Sequence, residues 1–182
     1  TLAAVGMPNI NFPGKGIIEY ISTIPIMIAE IILGMVFLTY FALIGLPFGM
    51  ITLVIAHTSF CIPYIYMLVK ARLVGIDKSL AEAARDLGAS EIRVFFDITL
   101  PLILPAILSG MLLSFAMSLD DVVISIFVTG VNTNTLPIKV YTQLKTGVTP
   151  KINALSTLML GVTLLIYLLS AWIGRQGHHK EN

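Results

Sequence analysis

Charge is scarce in this sequence. Only 12% of its 182 residues are Asp, Glu, Lys or Arg, against roughly 25% in an ordinary soluble domain. The net charge of +1 offers no basic field, and no Lys/Arg cluster interleaves with aromatics, which excludes a nucleic-acid binder. Cysteine is almost absent: Cys61 stands alone in an apolar run, so there is neither a disulfide framework nor a CxxC metal pair, and we read it as apolar filler. No G-x-x-x-x-G-K-[ST] loop occurs, so nothing in this chain hydrolyses ATP. Short alternating strands are missing, which argues against a β-barrel. The first residue is Thr1, with no charged segment and small-residue cleavage site behind it; TLAAVG reads as the tail of an earlier apolar segment.

What is present is apolar. Hydrophobic residues make up 57% of the chain and the mean hydropathy is +0.93. Four stretches approach or exceed the roughly 20 apolar residues that cross a bilayer: residues 17–44, interrupted by Glu19, Pro25 and Glu30; 50–69, with His57 and Pro63; 102–128, broken by Asp120-Asp121; and 153–173. Backbone groups in lipid must bond within their own segment, so all four are expected to be helices. The fold class is all-α, a polytopic transmembrane helical bundle in one domain.

The connections differ. Gly45-Leu46-Pro47-Phe48-Gly49 is long enough only for a hairpin turn, whereas residues 70–101 form a long charged loop and 129–152 a polar one, helical around 138–144. Lys15, Lys70, Arg72, Lys78, Arg85, Arg93, Arg175 and Lys180 gather on one face, leaving only Lys139, Lys145 and Lys151 on the other. The positive-inside bias places the 70–101 loop and the C-terminus in the cytoplasm, with Tyr167 and Trp172 near that interface and the 129–152 loop outside.

Within the charged loop, Ser79-Leu80-Ala81-Glu82 has the form of a capping box, with Ser79 as helix cap. The helix runs on to Gly88, a natural stop, and Ser90 caps a second helix that enters the membrane at Pro101. The element is a stiff, protruding elbow. Glu82-Ala83-Ala84, then Gly88, then nine residues and Ile98-Thr99-Leu100-Pro101, resembles the extended EAA motif of ABC-importer permeases of the binding-protein-dependent type. That resemblance implies a MetI-like bundle whose coupling helix docks on an ATP-binding subunit, with Glu82, Ala83, Ala84, Asp86, Gly88 and Pro101 at or beside the contact. Read alone, Glu82 does no more than complete a cap; the Gly and I-x-L-P at this spacing favour docking.

An aspartate in mid-bilayer costs at least about 2.5–3.5 kcal/mol, so Asp120 and Asp121 must meet a cavity, a partner group or a cation. Neighbours on a helix diverge by about 100°, so one is expected to face a pathway and the other another helix. Glu30 poses the same problem. The bland alternative is that these acids pair with groups on another helix or subunit, or lie near the outer surface; the functional one is an acidic passage for a cationic solute, with Asp120, Asp121 and Glu30 as its candidate residues. His57 is expected to be a hydrogen-bonded packing residue, and His178 and His179 to be solvated.

Ser118-Leu119-Asp120-Asp121-Val122-Val123, Phe127 to Gly130, Leu136 to Tyr141, and the stretch from Val148-Thr149-Pro150 through Asn153-Ala154-Leu155 are similar to the permeases of spermidine/putrescine importers, and to one of their two permease types in particular. This implies ATP-driven uptake of a polyamine through the bacterial cytoplasmic membrane, two upstream helices, a second permease subunit, two ATP-binding subunits carrying ATP and Mg, and an extracytoplasmic solute-binding protein; no cofactor is bound by this chain. Glu30 matches no signature of the group. An importer of iron, thiosulfate or a similar solute shares the EAA loop and is the alternative. An intramembrane aspartyl protease is a remote rival, because consecutive aspartates splay apart and cannot readily share a proton. A passive channel or scaffold would need no capped docking element.

Overall fold

The computed structural model describes residues 2–9, 14–131, 133–147 and 149–179, and every regular element among them is helical. Val148 and Lys180, and the side chains of Lys78, Arg175, His178 and His179, lie outside the described residues. The helices are α1 (Leu2–Asn9), α2 (Lys15–Met27), α3 (Glu30–Leu43), α4 (Met50–Val74), α5 (Lys78–Asp86), α6 (Glu91–Val94), α7 (Leu100–Asp120), α8 (Val123–Val128), α9 (Leu136–Thr146) and α10 (Pro150–His179).

Three of the four expected spans are long apolar helices: α4, the run from Glu91 to Asp120, and α10. The stretch over 17–44 is not one helix. Pro25 has no N–H to return to the preceding turn; α2 ends at Met27, Ile28 and Ala29 are extended, and α3 leaves at 111° to α2. Glu30 thereby stands in the first turn of α3, at the break, where a negative charge meets the positive end of the helix dipole. The 102–128 stretch also divides, into α7 and α8, at Asp121-Val122. The helix expected around 138–144 is α9.

Between α6 and α7, Phe95–Thr99 forms one π-helical turn. Pro101 explains it: a proline there cannot donate and crowds the carbonyl of the preceding turn, so the chain widens and Leu100 N–H bonds to the Phe95 carbonyl. The hairpin between α3 and α4 closes on Gly45, at φ +68°, with Leu46 N–H returned to the Phe41 carbonyl at 3.0 Å.

Lipid is as apolar as leucine, so burial alone drives little helix association in a membrane; small residues and interhelical hydrogen bonds supply the contacts. They do so at three interfaces. Ser109 and Ser170 exchange hydroxyl-to-carbonyl bonds of 2.9 and 3.0 Å between α7 and α10. Gly110 lets α7 lie against Ile65 of α4, and Cys61 sits behind it, its thiol 3.5 Å from the Ser114 carbonyl. Gly34 of α3 receives the ring of Phe127 from α8. The central helix is α4, with 39% of its apolar window buried, and α10 is peripheral, with 11%; Leu158, Leu164, Leu165 and Leu168 of α10 all remain exposed for lipid.

One face of α4 carries a core of Phe41, Ala56, Phe60, Ile124 and Val128, joining α3, α4 and α8. Further along, Tyr66, Val69 and Ile103 pack with Ala4 of α1, and Lys70 pairs with Glu19 of α2 at 3.0 Å. The chain leaving α8 is pinned to the start of α4: Thr52, fully buried, accepts the Gly49 N–H at 2.8 Å and donates to the Val128 carbonyl at 2.7 Å. Beside it, a Cβ on Gly130 would run into the Phe48 carbonyl. Gly130→Ala is therefore expected to lower stability by about 1–3 kcal/mol, as overpacking against fixed backbone does. Gly161→Ala, with nothing within 4 Å, is the control, and thermal unfolding in detergent compares the two.

Candidate functional site

No proline or glycine lies between Gly110 and Gly130, so nothing in the local propensities ends α7 at Asp120. The side chain of Asp121 does. Its backbone is extended, at φ −64° and ψ 123°, and its carboxylate folds forward to accept the N–H of Ile124 at 3.2 Å and of Ser125 at 2.8 Å. This is a helix cap, and it satisfies donors at the start of α8 that no water could reach in a membrane interior. The Ser125 hydroxyl adds a third bond to Asp121 Oδ2 at 2.7 Å.

From α4, His57 closes the cluster. With the Ser125 proton given to Asp121, the Nε2–H of His57 donates to Ser125 Oγ at 2.9 Å and lies 3.4 Å from Asp121 Oδ2. Nδ1 then accepts the Ser118 hydroxyl at 2.7 Å. The network closes with this tautomer, which is assigned from the partners. His57 and Asp121 are both 8% exposed. The expectation of a hydrogen-bonded packing histidine holds.

Asp120 is placed differently. It is exposed, and it lines a cavity of about 320 Å³ with Val122, with Pro137, Val140, Tyr141 and Leu144 of α9, and with Ser156, Met159, Leu160 and Thr163 of α10. The cavity wall is mainly apolar, and among the described residues Asp120 is its one acid. Lys145 holds its ammonium 4.6 Å above the Tyr141 ring, a cation–π distance. The acid pair is thus divided: Asp121 is consumed by the cap, and Asp120 is offered to the cavity. Glu30 is exposed at the α2/α3 break and is not brought to this cavity.

The elbow over 77–101 forms as a second constellation, with one correction. The cap of α5 is Asp77, not Ser79: its carboxylate accepts the Ser79 N–H at 2.9 Å. The helix starts one residue before Ser79, which makes Ser79 an interior residue and removes the Ser79/Glu82 box. The same N–H bond holds the Asp77 carboxyl below its ordinary pKa. At the far end Gly88, at φ +85°, closes a Schellman turn: Ala89 N–H reaches the Ala84 carbonyl at 3.0 Å and Gly88 N–H the Arg85 carbonyl at 2.8 Å. Ser90 caps α6 as expected, accepting from Arg93 at 3.4 Å. Arg85 then clamps the elbow with a two-point bond to Glu91, at 2.6 and 3.0 Å; the pairing raises the Arg85 guanidinium further. Glu82 lines a groove of about 420 Å³ beside Arg85 and Glu91. Ala83, Asp86, Gly88 and Pro101 are exposed, Ala84 is half-buried, and Leu87 at the tip is 90% exposed.

Sequence reasoning missed Asp77, Glu91, Ser118 and Ser125. The first had a signal, an Asp directly before the helix. The two serines had none, because their role exists only once α4 brings His57 between them. The division of labour between the aspartates is open to a stability measurement. Asp121→Ala leaves buried N–H groups unpaired and is expected to lower stability by about 1–3 kcal/mol, whereas Asp120→Ala is expected to leave the melting temperature in detergent unchanged.

Residues 3–176 match the family model of the binding-protein-dependent transport system inner membrane component. The spermidine/putrescine transport system permease protein PotC of Haemophilus influenzae is 42% identical over 178 residues, covering 98% of this chain and 69% of that protein. PotC of Escherichia coli K12 is 39% identical over 175 residues, covering 96% and 66%. The putrescine transport system permease protein PotI of the same strain is 42% identical over 179 residues, covering 94% and 63%. The chain thus spans about two thirds of the length of these relatives. An inward-facing structure of the MetNI methionine ABC transporter superposes with a TM-score of 0.68 at 21% identity, covering 90% of this chain and 74% of that one, which shows a common fold. With the apolar spans, the elbow and the family match in agreement, this chain belongs to the binding-protein-dependent transport system inner membrane components, the permease family of ABC importers.

Proposed function

We propose that this chain is a permease subunit of an ATP-driven importer that carries a small polyamine, spermidine or putrescine, across the cytoplasmic membrane. The observation that carries the reading is the exposed Asp120 in a mainly apolar cavity. A carboxylate set among apolar and hydroxyl-bearing side chains suits an ammonium group separated from the next by methylenes. The names of the relatives point to the same cargo. Asp120 is the pathway acid in this reading, Asp121 holds the backbone that presents it, and Glu30 marks a separate point at the break of the first span.

The energy enters through the elbow. Glu82, Ala83, Ala84, Asp86 and Gly88 form or flank the surface that seats on an ATP-binding subunit, with Leu87 as its apolar tip and Pro101 where the following helix enters the bilayer. The elbow and the C-terminus face the cytoplasm, following the distribution of Lys and Arg. Two ATP-binding subunits holding ATP and Mg, a second permease subunit and an external solute-binding protein complete the assembly. This chain does no hydrolysis; it converts closure of its partners into exchange of inner and outer gates.

Uptake of labelled spermidine by vesicles holding the complete complex tests the cargo, with putrescine, other cations and anions as competitors. Asp120→Asn is expected to lower uptake at limiting cargo about tenfold, the order of one hydrogen bond to a charged group. Unchanged uptake and apparent affinity would contradict the acidic pathway, and competition by anions alone would contradict the cargo class. For the elbow, a β-branched residue in the left-handed conformation of Gly88 is strained by roughly 1–2 kcal/mol. Gly88→Val is expected to leave ATP hydrolysis uncoupled from uptake or to prevent assembly; normal coupled transport would count against docking through this turn.

A further inference from the structure

The transport reading uses Asp120 and gives His57 nothing to do. Yet His57 is buried, belongs to another helix, and holds both sides of the α7/α8 break: Ser118 before it through Nδ1, and Ser125 with Asp121 after it through Nε2. We propose that His57 is a positioning residue for the cavity acid, keeping the chain broken at Asp121 so that Asp120 stays open to solute. The proposal rests on the reading of Asp120 as the pathway acid, but its test needs no cargo.

Without the clamp, little would keep α7 from continuing. Residues 111–129 contain no helix breaker, and a helix is the default for backbone in lipid. Were α7 to run straight through Asp121, Val123 and Ile124 would stand three and four residues on from Asp120, on the same face and one turn away. Two apolar side chains would then cover the carboxylate. In the broken chain Ile124 is carried off: it is 1% exposed and packs with Leu33, Phe41 and Val128 in the core shared by α3 and α4, while Val123 is absent from the cavity lining. Asp121 can cap α8 only while its carboxylate points forward, and His57 holds it there through Ser125. The imidazole does not touch the cavity, since it is absent from the lining; it acts through Asp121.

The Nε2 bond is the one that matters, which separates the proposal from simple packing. Gln at position 57 carries an N–H donor at the reach of Nε2, whereas Phe fills the same space with no donor. The test uses the complete transporter in membranes, with Cys61→Ala to remove the chain's own thiol and Asp120→Cys as reporter, labelled by a water-soluble cationic methanethiosulfonate and read by mass on this subunit. In this background His57→Phe is expected to slow labelling about tenfold, the population shift of one buried hydrogen bond at the upper end of its net range. His57→Gln should restore the rate to within about threefold. Recovery of assembled complex by gel filtration confirms that each variant folds. Equal labelling in the parent and His57→Phe would overturn the proposal, as would slowing by Gln and Phe alike, which would mean a packing role only. Failure of spermidine uptake by the unmodified complex would instead remove the transport reading and leave this labelling result standing.

Discussion

A carboxylate bonded to the first N–H groups of a helix is the interaction on which the rest of this structure depends. A helix that stops inside a bilayer exposes backbone donors where no water can satisfy them. Asp121 supplies the missing acceptor from its own side chain, and only then can α8 turn away from α7 and lie across α3 and α4. The position of Asp120, the shape of the cavity and the return of the chain toward α9 follow from that turn.

The surrounding bundle holds the turn from both ends. His57 and Ser125 fasten the start of α8 to α4, and Thr52 fastens its end through the Val128 carbonyl. Close approach of α8 to its neighbours depends on Gly34 and on Gly130, which lack the atoms that would keep it away. On the other side, reciprocal serine bonds join α7 to α10 without involving α8. The break therefore divides the work of the bundle, α8 packing on α3 and α4, and the cavity with Asp120 opens between the end of α7, α9 and α10. At the opposite end of α4 the chain uses different chemistry, in an exposed elbow whose shape is fixed by Asp77, Gly88, Ser90 and the Arg85–Glu91 pair.

Much of this is legible in the sequence because bilayer physics leaves few options. Four apolar runs read as helices, and the elbow is readable from Gly88 and Ser90, whose roles are local. The capping-box pattern favours Ser79 because it ignores a competitor two residues earlier; Asp77 prevails because its carboxylate accepts more strongly than a hydroxyl. Hydropathy makes the first span one helix because it does not register direction, and Pro25 with two extended residues turns it by 111°. The acid pair is legible only as a problem. That its members must differ follows from helical geometry, but which one is buried depends on His57, far away in sequence, and on serines whose partners appear only after packing.

The central claim is that the two adjacent aspartates hold different offices, one for backbone and one for cargo. An electron-density map of the complete transporter, trapped with spermidine during ATP-driven turnover, tests this most directly. The account expects cargo density against the Asp120 carboxylate, with Asp121 still seated on the N–H groups of Ile124 and Ser125. Cargo bound to Asp121, with the α8 cap released and Asp120 turned away, would contradict it.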